Sequence, residues 1–246
     1  FIPYSNISML AITKTSAYKI CIIPDSNNNC LEKCSSGDLV LDDDGSKMLL
    51  ISRYVLDTQP YHTECTDVTW EECSLRSWLN EYFYNVAFTL SEQAQIQDAY
   101  VENADNAYSG TEGGNDTTDK VFLLSVDELL RYYPLHPYDE EEHYGFSQAL
   151  MAAPTQYAKE RGIWWSEITQ KNYDDYHLAE YGYTEDGIGQ ASTYWWLRSS
   201  GVDGYAACMV YYIGVAGASY DGTVADVNVG VRPVMWVEYH SGETVE

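Results

Sequence analysis

Two stretches decide how this chain folds: Tyr194-Trp195-Trp196-Leu197-Arg198-Ser199, and, about thirty residues later, Gly230-Val231-Arg232-Pro233-Val234-Met235-Trp236-Val237. Both are too rich in large apolar side chains for exposed loops, so each reads as a buried strand. Between them, Gly201 to Gly230 carries glycines at 201, 204, 214, 217, 222 and 230, with small residues and Tyr filling the gaps. That punctuation predicts short strands joined by tight turns at roughly eight-residue spacing. If these strands alternate in and out, Val210, Val224 and Val231 face the core.

Upstream, Leu39–Leu41 and Met48–Ile51 are apolar runs separated by Asp42-Asp43-Asp44-Gly45, a hairpin signal because Asp and Gly tolerate positive φ. The Asp run lacks the alternate spacing of a calcium loop and reads as a solvated turn. Thr69 with Glu72 predicts a capping box. The helix after it carries Leu75, Trp78, Leu79, Tyr82, Phe83 and Val86 on one face. Ser91–Tyr100 reads as a second short helix. Gly113-Gly114 marks a loop within Asn103–Asp119, and Asp119–Ser125 reads as a strand ending in an N-cap at Ser125. His136–Tyr144 reads as an exposed acidic loop, Gln148–Arg161 as a helix interrupted at Pro154, and Asn172–Gln190 as a polar loop without period.

Composition narrows the function. The chain has 246 residues, 45% of them apolar and 14% aromatic, which suffices for a large core and excludes disorder. With 13 Lys and Arg against 38 Asp and Glu, the net charge is −25. So acidic a surface repels phosphate backbones and anionic lipid, which argues against nucleic-acid binding and membrane insertion. No apolar run approaches the roughly 20 residues of a membrane span. Phe1–Cys21 lacks the pattern of a signal peptide, and the chain is expected to be a processed piece of a longer product. Six cysteines, at 21, 30, 34, 65, 73 and 208, permit up to three disulfides, though a chain this long needs none. Cys21, Cys30 and Cys34 lack a fourth ligand, and no His lies within 25 residues of them, so zinc is disfavoured.

The two deciding stretches also carry a resemblance. Together with Ile51-Ser52-Arg53-Tyr54-Val55-Leu56-Asp57, Thr69-Trp70-Glu71-Glu72-Cys73-Ser74-Leu75-Arg76-Ser77-Trp78-Leu79-Asn80 and Asp119–Ser125, they resemble a bacterial and phage branch of the C-type-lectin-like fold. That branch is related to the formylglycine-generating, sulfatase-modifying enzymes. The blocks span roughly residues 47–238, while residues 1–46 match less well and read as an N-terminal extension or the start of the domain. The resemblance implies an α+β fold: two helices on a small twisted antiparallel sheet, with much irregular structure. Arg198 and Arg232 are expected to be structural, each held by a carboxylate or carbonyls.

Proteins of this fold act as binding modules, as oxidative enzymes, and as the variable proteins of diversity-generating retroelements, whose C-terminal codons are randomised at adenines. Such randomised Asn codons never yield Lys, Gln, Glu, Trp or Met. Gly201–Gly230 contains none of these except Met209, which must then be a fixed position. Short, Gly-punctuated strands favour the same small residues and Tyr without any diversification. The expected ligand-binding residues are Asp203, Tyr205, Tyr211, Tyr212, Ser219, Tyr220, Thr223, Asp226 and Asn228. Tyr offers large contact area at low entropic cost, and the short polar side chains adapt their hydrogen bonds.

A formylglycine-generating enzyme would need a Cys pair in the C-terminal half, where only Cys208 lies. The five His show no metal-ligand spacing, and the tripeptides of calcium-dependent sugar binding are missing. The resulting expectation is a non-catalytic binding domain without cofactor, a structural calcium ion being the one open alternative. Its partner would be a protein or glycan on another cell or host surface. Its place would be extracellular, on a cell surface or in a phage virion, as part of a larger assembly. A fixed-specificity glycan-binding module and the oxidative enzyme are the competing readings.

Overall fold

Strand Lys47–Ser52 is apolar on both faces, as a central strand must be, and its Leu49, Leu50 and Ile51 are buried. The computed structural model, which describes residues 38–137 and 144–238, pairs it on both sides. Asp38–Asp43 forms the expected hairpin with it through a turn in which Gly45 adopts φ +88°, a conformation costly for any residue with a Cβ. On its other edge lies Val234–Glu238, antiparallel, with Ile51 opposite Val234 and Lys47 opposite Glu238. The last strand of the described chain is thus the neighbour of the second, and Ile96–Gln97 completes the sheet on its other edge.

The second sheet has the order Asp221–Thr223, Ala206–Val210, Trp195–Ser200, Gly230–Val231 and Asp57–Thr58. Every residue of Ala206–Val210 is buried, and so are Trp195, Trp196 and Leu197. Val210, Val224 and Val231 face the core, fully buried as expected. Three smaller antiparallel sheets complete the strands among the described residues, and the architecture is α+β.

Several local expectations need correction. The helix after residue 69 begins at Ser74, and its N-cap is Cys73, whose Sγ accepts from Arg76 N at 3.4 Å. Thr69 and Glu72 belong to the preceding turn, held there because Trp70 is fully buried and its Nε1 donates to Asp119 Oδ2 at 3.0 Å. The helix runs Ser74–Ser77, widens through a π-helical stretch Trp78–Phe83, and ends Tyr84–Ala87, with Leu75, Leu79 and Phe83 buried. Ser91–Tyr100 is not one helix. A capping box of Thr89 and Glu92 starts the short helix Leu90–Gln93, and the chain then extends into strands Ile96–Gln97 and Ala99–Val101. In place of two helices, the structure has this one long segment and short helices Leu90–Gln93, Val126–Tyr132, Gln156–Glu160 and Gln170–Asp175.

Residues 172–190 are folded too, as the end of helix Gln170–Asp175 followed by two 3₁₀ turns. They enclose a small second core of Phe146, Ile168, Leu178, Tyr183, Ile213 and Val215. The Tyr183 hydroxyl, buried there, donates to Ile213 O at 2.6 Å and ties this segment to the turn after strand Ala206–Val210. The acidic residues 138–143 lie outside the described residues.

Arg198 and Arg232 are structural, as the resemblance implied. The Arg198 side chain is buried and forks onto both oxygens of Glu128, with further bonds to Leu123 O at 2.8 Å and Glu102 O at 2.9 Å. Arg232 Nε donates to Ser52 O at 2.7 Å, and its guanidinium stands 4.9 Å over the Trp195 ring. Glu128 also completes the expected cap at Ser125, accepting its backbone N–H at 3.0 Å. Glu128→Ala therefore leaves a buried guanidinium without its carboxylate and removes one of the two bonds of a capping box. We expect a loss of about 3–5 kcal/mol in urea unfolding, with Glu128→Gln losing a smaller part.

Candidate functional site

The second core determines where the aromatic residues of the C-terminal region come together. Strand Trp165–Glu167 pairs with Ala191–Thr193, placing Trp165 opposite Thr193, and the Thr193 hydroxyl donates to Trp164 O. This fixes the Trp164-Trp165 dipeptide beside Tyr194. Tyr194 O in turn accepts from Gly230 N at 2.9 Å, which fastens the 226–230 turn alongside. Only glycine fits at 230, because a Cβ there would lie 2.2 Å from Val55 Cγ1. On the far side, Tyr211 closes a turn in which Gly214 N donates to Tyr211 O and Tyr211 N donates to Val215 O.

The rings pack into a continuous chain. Trp164 lies 4.8 Å from Tyr194 and 5.1 Å from Tyr212, centroid to centroid. Tyr194 meets Tyr211 edge-on at 5.2 Å, and Tyr211 meets Tyr220 edge-on at 4.6 Å. Each such pair contributes about 0.5–1.5 kcal/mol beyond its buried area, so the chain is rigid without a deep core beneath every ring. Trp164 remains 41% exposed and Trp165 39% exposed, so the cluster presents aromatic faces to solvent. The Tyr212 hydroxyl accepts from Asn172 Nδ2 at 3.2 Å.

Trp164, Trp165, Tyr194, Tyr211, Asp226 and Asn228 line an open groove of about 780 Å³. That lies within the range of small-ligand sites. Burial raises the pKa of Tyr194 and Tyr211, and burial together with the Tyr176 hydroxyl pushes Tyr212 up to about 12. The phenols at the groove are therefore neutral hydrogen-bonding groups at physiological pH. On the rim, Asp226 Oδ1 accepts both Asn228 N at 2.8 Å and Asn228 Nδ2 at 3.1 Å, which holds the two side chains together.

Of the nine residues expected from sequence, Tyr211, Tyr212, Tyr220, Asp226 and Asn228 belong to this region. Asp203, Tyr205 and Thr223 do not. Tyr205 and Tyr211 flank opposite ends of strand Ala206–Val210, about 20 Å apart at strand rise. Thr223 pairs opposite Ala206 and so lies at the Tyr205 end. There Gly204 O accepts from Val68 N, and the Asp203 carboxylate beside the exposed Tyr205 hydroxyl raises its pKa. Ser219 is half-buried on the turn between strands Val215–Gly217 and Asp221–Thr223. The expected single surface is thus two patches, because the buried strand between them runs the length of the sheet.

Trp164 and Trp165 join the site without being among the expected residues, although two adjacent Trp outside any apolar run are a signal of their own. Asn172, which bonds the Tyr212 hydroxyl, belongs to the segment expected as a polar loop.

Other chemistry is sparse. Cys208 and Cys73 are buried, and burial pushes both thiols up to about 12, so neither is a thiolate at neutral pH. Cys65 is exposed, and these three cysteines, all free thiols, are the ones among the described residues; Cys21, Cys30 and Cys34 lie outside them. Among the described residues, no three His, Cys, Asp or Glu side chains converge as metal ligands, and no helix is long and apolar enough to cross a membrane. The carboxylates of the Asp42–Asp44 turn are engaged by the turn itself, Asp43 Oδ1 by Gly45 N and Asp44 Oδ1 by Ser46 and Lys47 N–H groups. In the native protein at pH 8, peptide mapping after brief alkylation should find Cys65 labelled, with Cys73 and Cys208 labelled only after unfolding.

Comparison with known proteins places the chain without describing its activity. No curated protein and no solved structure matches it. Residues 45–239 match the family described as "Domain of unknown function (DUF6273)", and the chain belongs to that family.

Proposed function

We propose that this chain is a non-catalytic ligand-binding domain of C-type-lectin-like fold, acting on a cell exterior or in a phage virion, with a protein or glycan on another surface as its partner. The observation that carries this reading is the chain of packed rings that runs from the exposed Trp164 through the half-buried Tyr194 to Tyr211 and Tyr212. Rigid aromatic anchors beside adaptable Asp and Asn groups are the residue types that concentrate binding energy in recognition surfaces. The fold part of the reading is supported by the buried Trp195-Trp196-Leu197-Arg198 strand and by the pairing of Lys47–Ser52 with Val234–Glu238. The reading away from an oxidative enzyme is supported by the buried, protonated thiol of Cys208, the one cysteine in the C-terminal half.

Diversification by a retroelement is part of this proposal, and the burial pattern narrows it. Within Gly201–Gly230, residues such as Val210, Ile213, Val215, Ala216, Val224 and Val229 are core residues, where random replacement would open cavities or strand polar groups. Sequencing the gene from many individuals of one population, with its flanking DNA, tests the idea. Substitutions should gather at 203, 205, 211, 212, 219, 220, 223, 226 and 228 and spare the buried positions, beside a template repeat and a reverse transcriptase. A quiet C-terminus without a template means a fixed-specificity module.

Binding itself is tested on protein and glycan arrays. A captured ligand should be lost at least tenfold by Trp164→Ala together with Tyr212→Ala, with the fold verified by circular dichroism. Retention of full binding by that double variant would remove the aromatic cluster from the reading.

A further inference from the structure

The groove has a chemical preference of its own. Among its lining residues the one charged side chain is Asp226; the rest are aromatic rings, Met209, Asn228 and small or aliphatic residues. An aromatic ring is electron-rich at its face and attracts an ammonium or guanidinium group within about 6 Å of its centroid. The molecule already uses that attraction at this site: Lys159 Nζ stands 3.7 Å over the Trp165 ring. Lys159 thereby covers one ring and repels a second cation from it, which directs an incoming cation toward Trp164, Tyr194 and Tyr211, where Asp226 supplies the opposite charge. Asp226 is placed for this role by its bonds to Asn228, which engage Oδ1; Oδ2 makes no hydrogen bond among the described residues. The whole molecule adds a net charge of −25, a field that draws basic polypeptides in and turns sulfated, phosphorylated or sialylated ligands away.

We infer that this groove is a docking site for a basic side chain, Arg or Lys, presented by a partner polypeptide. The guanidinium or ammonium group stacks on the faces of Trp164, Tyr194 and Tyr211 and pairs with the Asp226 carboxylate. Arg suits the groove better than Lys, because its planar guanidinium stacks on rings and reaches a carboxylate with two donors at once. The inference rests on the reading of the chain as a binding domain and adds the class of partner to it.

The test titrates the folded chain with three probes, followed by tryptophan fluorescence and calorimetry: the peptide amide Gly-Arg-Gly-Arg-Gly, the same peptide with citrulline for Arg, and a neutral chitin hexasaccharide. The Arg peptide should bind at low salt, at least tenfold more tightly than the citrulline peptide, and weaken severalfold in 0.5 M NaCl. Asp226→Asn should reduce its affinity about fivefold, and Trp164→Phe, which keeps the ring packing but offers a poorer cation-binding face, about threefold. Equal binding of the Arg and citrulline peptides overturns the inference, as does Arg-peptide binding indifferent to both substitutions. Binding of the hexasaccharide with no binding of the Arg peptide also overturns it, in favour of a neutral glycan. In each of those cases the broader reading is judged separately, by whether Trp164→Ala with Tyr212→Ala still abolishes capture of an array ligand.

Discussion

The structure depends first on a buried guanidinium. Arg198 lies within strand Trp195–Ser200, the middle of the larger sheet, and its charge is buried. Glu128 brings a carboxylate from the next helix, while Leu123 and Glu102 bring carbonyls from two further segments. A charge removed from water is costly unless every partner arrives in good geometry. The arrangement therefore fixes the position of all four segments at once. Glu128 also caps its own helix through Ser125, so the same carboxylate couples helix initiation to the placement of the central strand. Arg232 extends the constraint to the other sheet, bonding Ser52 O while its guanidinium covers Trp195. Two arginines thus clamp the Trp195-Trp196 strand from both ends of the fold.

On that clamped frame the proposed binding face is assembled largely at strand ends and turns. Tyr194 leaves the central strand, Tyr211 and Tyr212 leave its neighbour, and Trp164 and Trp165 come from a segment with its own small core. Loops ordinarily lose binding energy to ordering, at about 0.5–1.5 kcal/mol for each flexible side chain immobilised. Here the rings already brace one another edge to face, and Tyr183 bonds the supporting segment to Ile213 O. Much of the ordering cost is met during folding, which leaves the exposed part of Trp164 ready for contact, while Lys159 covers the Trp165 ring.

What was legible in the sequence follows the strength of the local signal. The Asp42–Gly45 hairpin, the buried Trp195–Ser200 strand and the Ser125 cap each rest on residues that specify one conformation almost alone, and the structural arginines followed from the resemblance. The second apolar stretch, read as one strand, divides at Arg232-Pro233 into Gly230–Val231 and Val234–Glu238, which join different sheets. Thr69 failed as a cap because Trp70 is drawn into the core and bonded to Asp119, a residue 49 positions away that no local pattern reveals. Ser91–Tyr100 is not one helix because the short helix Leu90–Gln93 gives way within it to the strands Ile96–Gln97 and Ala99–Val101, whose partners lie elsewhere in the chain. The polar segment 172–190 buries few apolar residues of its own, and its order comes from Leu178 and Tyr183 meeting Phe146, Ile213 and Val215 across the chain. The site was half legible for the same reason. Tyr211, Tyr212, Asp226 and Asn228 share a glycine-rich window, but Trp164 and Trp165 reach them only through strand pairing with 191–193.

The division of the glycine-rich window bears on how such a surface can change. Strand Ala206–Val210 is buried throughout, and its two ends carry Tyr205 and Tyr211 to two patches, joined by the turn in which Asp226 N donates to Thr223 O. Replacements within the strand would disturb the core, whereas replacements at its flanks alter a patch and leave the frame intact. The patch at the Tyr205 end has one aromatic ring beside Asp203 and little support. The patch at the Tyr211 end has Trp164, Trp165 and Tyr194 behind it, outside the window and untouched by any change within it. That geometry separates a constant aromatic wall from adjustable residues facing it. On the proposed reading, affinity would come mainly from the constant wall, and discrimination between partners from what stands at 211, 212, 226 and 228.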